Sequence, residues 1–307
     1  MPSSIRLPAS VLLVALVAAG CNPAEQDAPG PEPLPPSTIT LADVGFATPE
    51  SILHDNYADL YLVSNINGGP LDADGNGFIS RVSPIGDLQL KWIDGATPGV
   101  TLNAPKGMAT LGDYLYVADI NTLRWFDRNT GEPRGQLEVP GATFLNDVVA
   151  HPEGGVYFTD TGMRAGANGF EPSGTDAIYR LNADMSLDTL ARGEELGHPN
   201  GLALSGDSLY VASYSGSGEF YRLENGAKVD VVTLAKGGLD GLVIAGRMVF
   251  ISSWDGSSIF RGTLGGEIHE ILNGIPSPAD IGHDAFQHRL LIPLFMDNQL
   301  KIVPLAF

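Results

Sequence analysis

The chain has little of what a disulfide-stabilised or nucleic-acid-binding protein needs. It holds 1 cysteine among 307 residues, so no intrachain disulfide can form. Lysine and arginine number 17 against 36 aspartates and glutamates, which gives a formal net charge of -19. A surface this acidic repels phosphate backbones, so the composition argues against nucleic acid as a partner.

Long apolar runs and helical patterns are also scarce. The apolar run from Val11 to Ala19 is too short for an ordinary membrane span. No segment shows a convincing helical stripe of useful length. The chain is instead rich in glycine (38) and proline (22), which favours many turns and short strands.

The first residues have the order of a secretory signal: a basic start, an apolar core and small residues before a cleavage point. Arg6 supplies the positive charge, and Ala18-Ala19-Gly20 precedes the sole cysteine, Cys21. This arrangement resembles a bacterial lipobox, although that pattern prefers leucine where Ala18 stands. The resemblance implies a lipoprotein signal peptide at residues 1–20 and a lipid on Cys21. The alternative is a plain signal peptide followed by a chance cysteine.

The segment 21–37 is predicted to be the lipidated cysteine and a tether, because it is rich in proline and acidic residues and has almost nothing to bury. The folded body is predicted at 38–307. We expect the protein in the bacterial cell envelope, attached to a membrane through Cys21. Asn22 gives no retention signal of the enterobacterial aspartate kind, which favours the outer membrane, facing the periplasm or the exterior.

A repeat runs through the body. Six short motifs share a polar central residue, at positions 50, 106, 146, 200, 240 and 280, so the intervals are 56, 40, 54, 40 and 40. Each centre is followed, 10 or 11 residues later, by a short run of β-forming residues such as YLYVAD or MVFISS. A period of about 40 residues suits a propeller blade of four strands. The sequence therefore predicts an all-β, six-bladed β-propeller.

The last repeat ends too soon to contain a fourth strand, since the chain stops at Phe307. The segment Thr38–Leu41 is predicted to supply that strand and close the ring, which removes exposed sheet edges. Two repeats carry insertions, around 65–77 and 162–176, and we expect both to overhang the face that bears the motifs. Long loops on a rigid scaffold are where binding specificity is often found.

The six motif centres begin the innermost strands of a propeller, so their side chains should approach one another near one mouth of the channel. In chain order they are Glu50, Lys106, Asn146, Asn200, Asp240 and Asp280. Carboxylate and amide oxygens suit Ca²⁺, and the absence of cysteine and histidine from the ring argues against zinc or copper.

These residues give the chain a resemblance to the calcium-dependent propellers of the gluconolactonase and regucalcin (senescence marker protein) family, over about Thr38 to Phe307. Asn146-Asp147, Pro199-Asn200-Gly201 and Asp240-Gly241 match its local motifs, whereas Pro49-Glu50-Ser51 stands where Glu-Gly-Pro is usual. The resemblance implies that one Ca²⁺ is held by a set of four residues: Glu50, Asn146, Asn200 and Asp240.

By the same resemblance, the chain is expected to hydrolyse lactones or related esters. Asp240 would activate water or act as the nucleophile, and His198 or His283 would serve as a general base if its ring reaches the channel. Lys106 and Asp280 are the candidates for substrate binding. For Lys106 the alternative is a structural ion pair with Asp280 or Glu50.

Two other functions remain open at this stage. A non-catalytic propeller would present the same face to a protein or glycan partner. A propeller like strictosidine synthase would share the Pro-Asn-Gly motif without using this metal for catalysis. The complete set of four oxygen ligands favours the hydrolase, although the fold alone does not decide the function.

Overall fold

Short strands account for nearly all the regular structure in the residues that the computed structural model describes, which are 37–167 and 169–305. One turn of 3-10 helix, Glu194–Leu196, interrupts them. Among the described residues, no helix has the length and apolar character needed to cross a membrane. The predicted signal peptide, the lipidation site Cys21 and the tether up to residue 36 lie outside the described residues.

The strands form six sheets of four strands each. The chain begins with β1 (Ile39–Leu41), which belongs to the last blade. Blade 1 contains β2 (Pro49–Asp55), β3 (Leu60–Asn65), β4 (Phe78–Val82) and β5 (Leu88–Asp94). Blade 2 contains β6 (Pro105–Leu111), β7 (Tyr114–Asp119), β8 (Thr122–Asp127) and β9 (Pro133–Glu138). Blade 3 contains β10 (Leu145–Ala150), β11 (Val156–Asp160), β14 (Ala177–Leu181) and β15 (Leu187–Arg192).

The remaining blades follow the same plan. Blade 4 contains β16 (Pro199–Ser205), β17 (Ser208–Ser213), β18 (Glu219–Glu224) and β19 (Ala227–Thr233). Blade 5 contains β20 (Leu239–Ala245), β21 (Met248–Ser253), β22 (Ser258–Thr263) and β23 (Ile268–Asn273). Blade 6 contains β24 (Gly282–Asp284), β25 (Arg289–Leu294), β26 (Gln299–Pro304) and, outermost, β1. Within blade 3, β12 (Met163–Gly166) and β13 (Gly169–Pro172) form a separate hairpin.

Burial falls from the axis outwards. The innermost strand β16 is buried over Pro199–Ala203, whereas the outermost strand β19 has no buried residue. The described residues contain six clusters of buried apolar side chains, and each lies between two neighbouring blades. The hydrophobic effect therefore joins blade to blade and holds the innermost strands around a common axis.

The ring closes between blades 6 and 1 in the predicted way. Strand β1 pairs antiparallel with β26, with Thr40 opposite Lys301. Near the axis, the amide of Asp280 donates to the carbonyl of Glu50 at 2.9 Å. The hydroxyl of Tyr61 donates to the carboxylate of Asp284 at 2.6 Å, which links the same two blades. The prediction of a six-bladed propeller closed by an N-terminal strand is confirmed.

Candidate functional site

The six motif centres lie together at the start of the innermost strands. Five of them are the second residue of β2, β6, β10, β16 and β20, and the sixth, Asp280, lies two residues before β24. All six side chains are buried, with exposed fractions from 1% to 7%. In blades 1 to 5 the pairing of the innermost strand with its neighbour shifts register at the motif. Such a bulge frees a residue from the ladder and redirects its side chain.

The residue after the motif centre must be small in several blades because neighbouring innermost strands approach closely. A Cβ on Gly107 would lie 2.5 Å from the Cα of Asp147, and a Cβ on Gly201 would collide with the carbonyl oxygen of Asp240. Glycine at these positions lets the strands converge on the axis. The motif glycines therefore serve packing, and this packing brings the polar centres into one site.

Five of the six motif centres form the polar floor of a cavity of about 480 Å³. The floor contains Glu50, Lys106, Asn146, Asn200 and Asp240, with Thr161 beside them. The wall is mostly apolar. It contains five aromatic side chains, Phe144, Phe170, Tyr214, Trp254 and Phe295. It also contains Ile66, Pro70, Met163 and Met296.

Four oxygen atoms on the floor are buried and have no hydrogen-bond partner among the described residues. They belong to the four predicted metal ligands: Oε2 of Glu50, Oδ1 of Asn146, Oδ1 of Asn200 and Oδ1 of Asp240. An unpaired buried oxygen costs about 1–3 kcal/mol, so four in one cavity require an explanation. A cation that prefers oxygen ligands would satisfy all four at once.

In Asn146 and Asp240, a hydrogen bond holds the second polar atom of the side chain. The amide nitrogen of Asn146 donates to Oγ1 of Thr161 at 3.1 Å. The indole nitrogen of Trp254 donates to Oδ2 of Asp240 at 2.6 Å. Because the amide nitrogen of Asn146 is engaged, its oxygen is the free atom. The residues therefore fit a hard cation such as Ca²⁺.

The donor set mixes carboxylates with amides. Among the described residues, no group of three or more His, Cys, Asp or Glu side chains is arranged to hold a metal. Glu50 and Asp240 supply two carboxylates, and Asn146 and Asn200 supply two neutral amide oxygens. This composition suits a cation of charge two that prefers oxygen over nitrogen or sulfur ligands.

The floor carries an excess of acidic groups. Burial, and then the nearby carboxylates of Asp240 and Asp280, raise the pKa of Glu50 well above its usual range. Burial and Asp280 likewise raise the pKa of Asp147 and of Asp240. Lys106 is the basic residue among these groups, and burial lowers its pKa. Crowded carboxyl groups in a site of low dielectric favour either protonation or a bound cation.

Residues 79–281 match a family model described as the SMP-30/gluconolactonase/LRE-like region. The chain belongs to this family. The matched range includes five of the six motif centres, and Glu50 lies before it. No curated protein matches the chain significantly.

Several solved structures share the fold. A gluconolactonase from Xanthomonas campestris is 20% identical with a TM-score of 0.59, covering 90% of this chain and 99% of that one. A luciferin-regenerating enzyme is 14% identical with a TM-score of 0.62, covering 88% and 96%. The virginiamycin B lyase of Staphylococcus aureus is 14% identical with a TM-score of 0.60, covering 88% and 99%. At these identities the likeness shows the propeller alone.

In this member of the SMP-30/gluconolactonase family, Lys106 points its ammonium group at backbone carbonyls. Nζ donates to the carbonyl of Pro70 at 2.9 Å and to that of Ala104 at 3.0 Å. It also lies 4.7 Å from the centre of the Phe144 ring. Glu50 stabilises its charge through space. Lys106 therefore lines the cavity with two of its three N–H groups already engaged, and its role in substrate binding stays a prediction.

Asp280 and the two histidines do not line the cavity. The hydroxyl of Ser51 donates to Oδ2 of Asp280, which joins blades 1 and 6. Nδ1 of His198 lies 3.1 Å from Oδ2 of Asp176 and 2.9 Å from the carbonyl oxygen of Thr161. These contacts fix the His198 ring. The roles predicted for Asp280 and His198 stay predictions, and His283 lies on β24 outside the cavity lining.

The sequence motifs do not identify the wall of the cavity, although a signal for it is present in the repeats. The residue directly after the second strand of each blade occupies one repeated position, and five of these six residues line the cavity: Ile66, Thr161, Tyr214, Trp254 and Phe295. The sixth is Ile120. Their chemical types differ, so the position did not stand out as the polar centres did. The blade 3 insertion does overhang the motifs, because Met163 and Phe170 on its hairpin line the cavity.

Proposed function

We propose that the chain is a Ca²⁺-dependent hydrolase of lactones or related esters. The observation that carries the proposal is the set of four unpartnered oxygens on Glu50, Asn146, Asn200 and Asp240. They belong to buried side chains on one cavity floor, in a chain of the SMP-30/gluconolactonase family. These four residues would hold the ion.

When bound, Ca²⁺ would polarise the carbonyl oxygen of the ester and stabilise the negative charge that develops on it. Asp240 would take a proton from the water as the water oxygen bonds to the ester carbonyl carbon, and Trp254 would fix the orientation of its carboxylate. Asp240 would then return the proton to the alkoxide oxygen that leaves when the acyl–oxygen bond breaks. The aromatic wall limits the access of bulk water to the floor. We assign the proton transfer to Asp240 rather than to His198, because Asp240 lines the cavity and His198 does not.

The proposal is tested by measuring the hydrolysis of a lactone panel in a pH-stat, with Ca²⁺ or with EDTA. Chelation should abolish turnover. The isosteric change Asp240→Asn should lower kcat/KM by at least about 100-fold, since a lost general base typically costs that much. Asp207→Asn is the matched control, because this carboxylate is 96% exposed and remote from the cavity.

Turnover that is unaffected by both EDTA and Asp240→Asn would contradict the proposal. Intact Ca²⁺ binding without hydrolysis of any lactone or ester would favour the alternative, a propeller that binds a protein or glycan partner and uses the metal as a structural element. The assay therefore separates the two functions.

We further propose that the protein is a lipoprotein of the bacterial cell envelope, anchored through Cys21. The support is the order of Arg6, the run Val11–Ala19 and the sole cysteine directly after Ala18-Ala19-Gly20. Labelled palmitate should enter the parent protein in bacterial cells and should not enter Cys21→Ser. Equal labelling of both, or none in the parent, would rule out the anchor.

A further inference from the structure

The wall above the polar floor is built from two aromatic pairs. Phe144 and Phe170 meet edge to face, with ring centres 5.8 Å apart. Trp254 and Phe295 meet in the same manner at 5.2 Å. One pair comes from the neighbourhood of blade 3, and the other from blades 5 and 6. A ligand that reaches the floor must therefore pass between apolar faces.

The wall offers few hydrogen bonds to a ligand. The Thr161 hydroxyl accepts from Asn146 and donates to the carbonyl of Pro199. Lys106 has two of its N–H groups bound to carbonyls. The indole N–H of Trp254 donates to Asp240. The Tyr214 hydroxyl is the remaining polar group among the side chains named above the floor. A sugar lactone carries several hydroxyls, and each one that leaves water without a new partner lowers affinity by about fivefold or more.

The mouth of the cavity exposes apolar side chains to water. Phe170, on strand β13, is 50% exposed, and Met296, after strand β25, is 67% exposed. Exposed apolar groups that border a pocket often mark a site that an apolar ligand covers. The cavity volume of about 480 Å³ falls in the range of small-molecule sites.

We propose that the substrates are lactones or esters with an apolar body, such as an alkyl-substituted ring, and that polyhydroxylated sugar lactones are poor substrates. This inference rests on the proposed hydrolase function for the reacting ester group. The ester carbonyl would face the polar floor, and the hydrocarbon part would pack between the two aromatic pairs.

The test uses a binding readout that does not depend on turnover. A series of δ-lactams with alkyl side chains of increasing length would be titrated into the Ca²⁺-loaded protein by calorimetry, since lactams resist hydrolysis. Each added methylene should tighten binding by about fourfold until the cavity is filled. Phe170→Ser should flatten this dependence, so that its loss of affinity relative to the parent grows with the length of the alkyl chain.

Phe286→Ser is the matched control. This phenylalanine is 60% exposed, but it lies in the turn between β24 and β25 and does not line the cavity. In this control variant, lactam affinity should increase with the length of the alkyl side chain as it does in the parent. Circular dichroism and thermal unfolding would establish that both variants are folded.

Affinity that does not change with chain length, or tighter binding of a sugar lactam than of an alkyl lactam, would overturn the inference. The hydrolytic panel separates this failure from failure of the proposed function. Turnover of glucono-δ-lactone in preference to alkyl δ-lactones would keep the hydrolase and reject the apolar substrate. Chain-length-dependent binding without any turnover would keep the apolar ligand and reject the hydrolase.

Discussion

At Asp240, one neighbouring side chain determines which carboxylate oxygen is free to bind a metal. Its Oδ2 accepts a hydrogen bond from Trp254 at 2.6 Å, and its Oδ1 is buried without a partner among the described residues. Trp254 thus acts as a positioning residue, because it determines which oxygen is free. Partners of metal ligands typically influence metal affinity 10-fold to 100-fold.

The change Trp254→Phe should therefore weaken Ca²⁺ binding by roughly 10-fold, since it removes the indole donor and keeps an aromatic ring in the wall. Calorimetry on the folded variant measures the effect. Trp92→Phe is the control, because Trp92 stacks against Arg81 away from the cavity. Equal Ca²⁺ affinity of Trp254→Phe and the parent would show that the indole has no positioning role.

At this scale the sequence predicted the polar centres and missed their surroundings. Glu50, Asn146, Asn200 and Asp240 could be found because they recur at one position of a repeat. Which atom of Asn146 and Asp240 is free depends on Thr161 and Trp254, which follow the second strand of the same blade. A single sequence does not indicate these hydrogen bonds.

The innermost strands form the element on which the site depends. Their starts converge because Gly107, Gly201 and Gly241 have no side chain to separate neighbouring strands. The periodic motif predicted these strands correctly. The hairpin β12–β13 was predicted only as an insertion, since its sequence has weak alternation and several glycines.

The change Gly201→Ala should destabilise the fold by about 1–3 kcal/mol, because the new methyl group would overlap the backbone of β20 at Asp240. Unfolding in urea measures the loss. Gly216→Ala in the same blade is the matched control, since a Cβ added there would meet no atom within 4 Å and its φ is not in the left-handed region. If both variants unfold alike, close packing of the innermost strands does not require the glycine.

The whole ring is held by contacts between blades, and one of them should respond to pH. Arg128 of blade 2 pairs with Asp55 of blade 1 through Nε at 2.9 Å and through a second nitrogen. Burial alone would raise the pKa of Asp55, but hydrogen bonds from Arg128 and from the amides of Tyr57 and Ala58 outweigh it and lower the pKa below its usual range.

The change Asp55→Asn should therefore cost about 1–3 kcal/mol of unfolding free energy at neutral pH. Since the folded-state pKa lies below the unfolded value near 3.9, this contribution is complete above about pH 4 and is lost as the pH falls through the folded-state pKa. Urea unfolding of parent and variant from pH 7 to pH 3 measures the difference. If the difference in unfolding free energy between parent and Asp55→Asn does not become smaller at acidic pH, the ion pair is contradicted. Asp207→Asn again serves as the control.

Ring closure gives a second prediction for the whole molecule. Ile39 and Leu41 of β1 pack against the cluster between blades 6 and 1, whereas Thr40 is exposed. Changing both apolar residues to alanine should cost about 2 kcal/mol and promote aggregation through the uncovered edge of β26. Urea unfolding and light scattering measure the two effects. Thr40→Ala should behave as the parent, and a double variant that matches it would show that closure does not depend on β1.

The number of blades and the closing strand could be predicted because a period of about 40 residues and a short last repeat are properties of the chain itself. The substrate could not be predicted from the sequence, because the cavity wall that would contact it is assembled from several repeats. The wall contains Phe144, Met163, Phe170, Trp254 and Phe295. Only the folded ring brings these residues together.

The central claim is that Glu50, Asn146, Asn200 and Asp240 hold one Ca²⁺. Its most direct test is a calorimetric titration of Ca²⁺ into the EDTA-stripped protein, beside Asp240→Ala and the control Asp207→Ala. We expect one saturable Ca²⁺ site in the parent and the control, and its loss or great weakening in Asp240→Ala. No Ca²⁺ binding by the well-folded parent, or equal binding by Asp240→Ala, would contradict it.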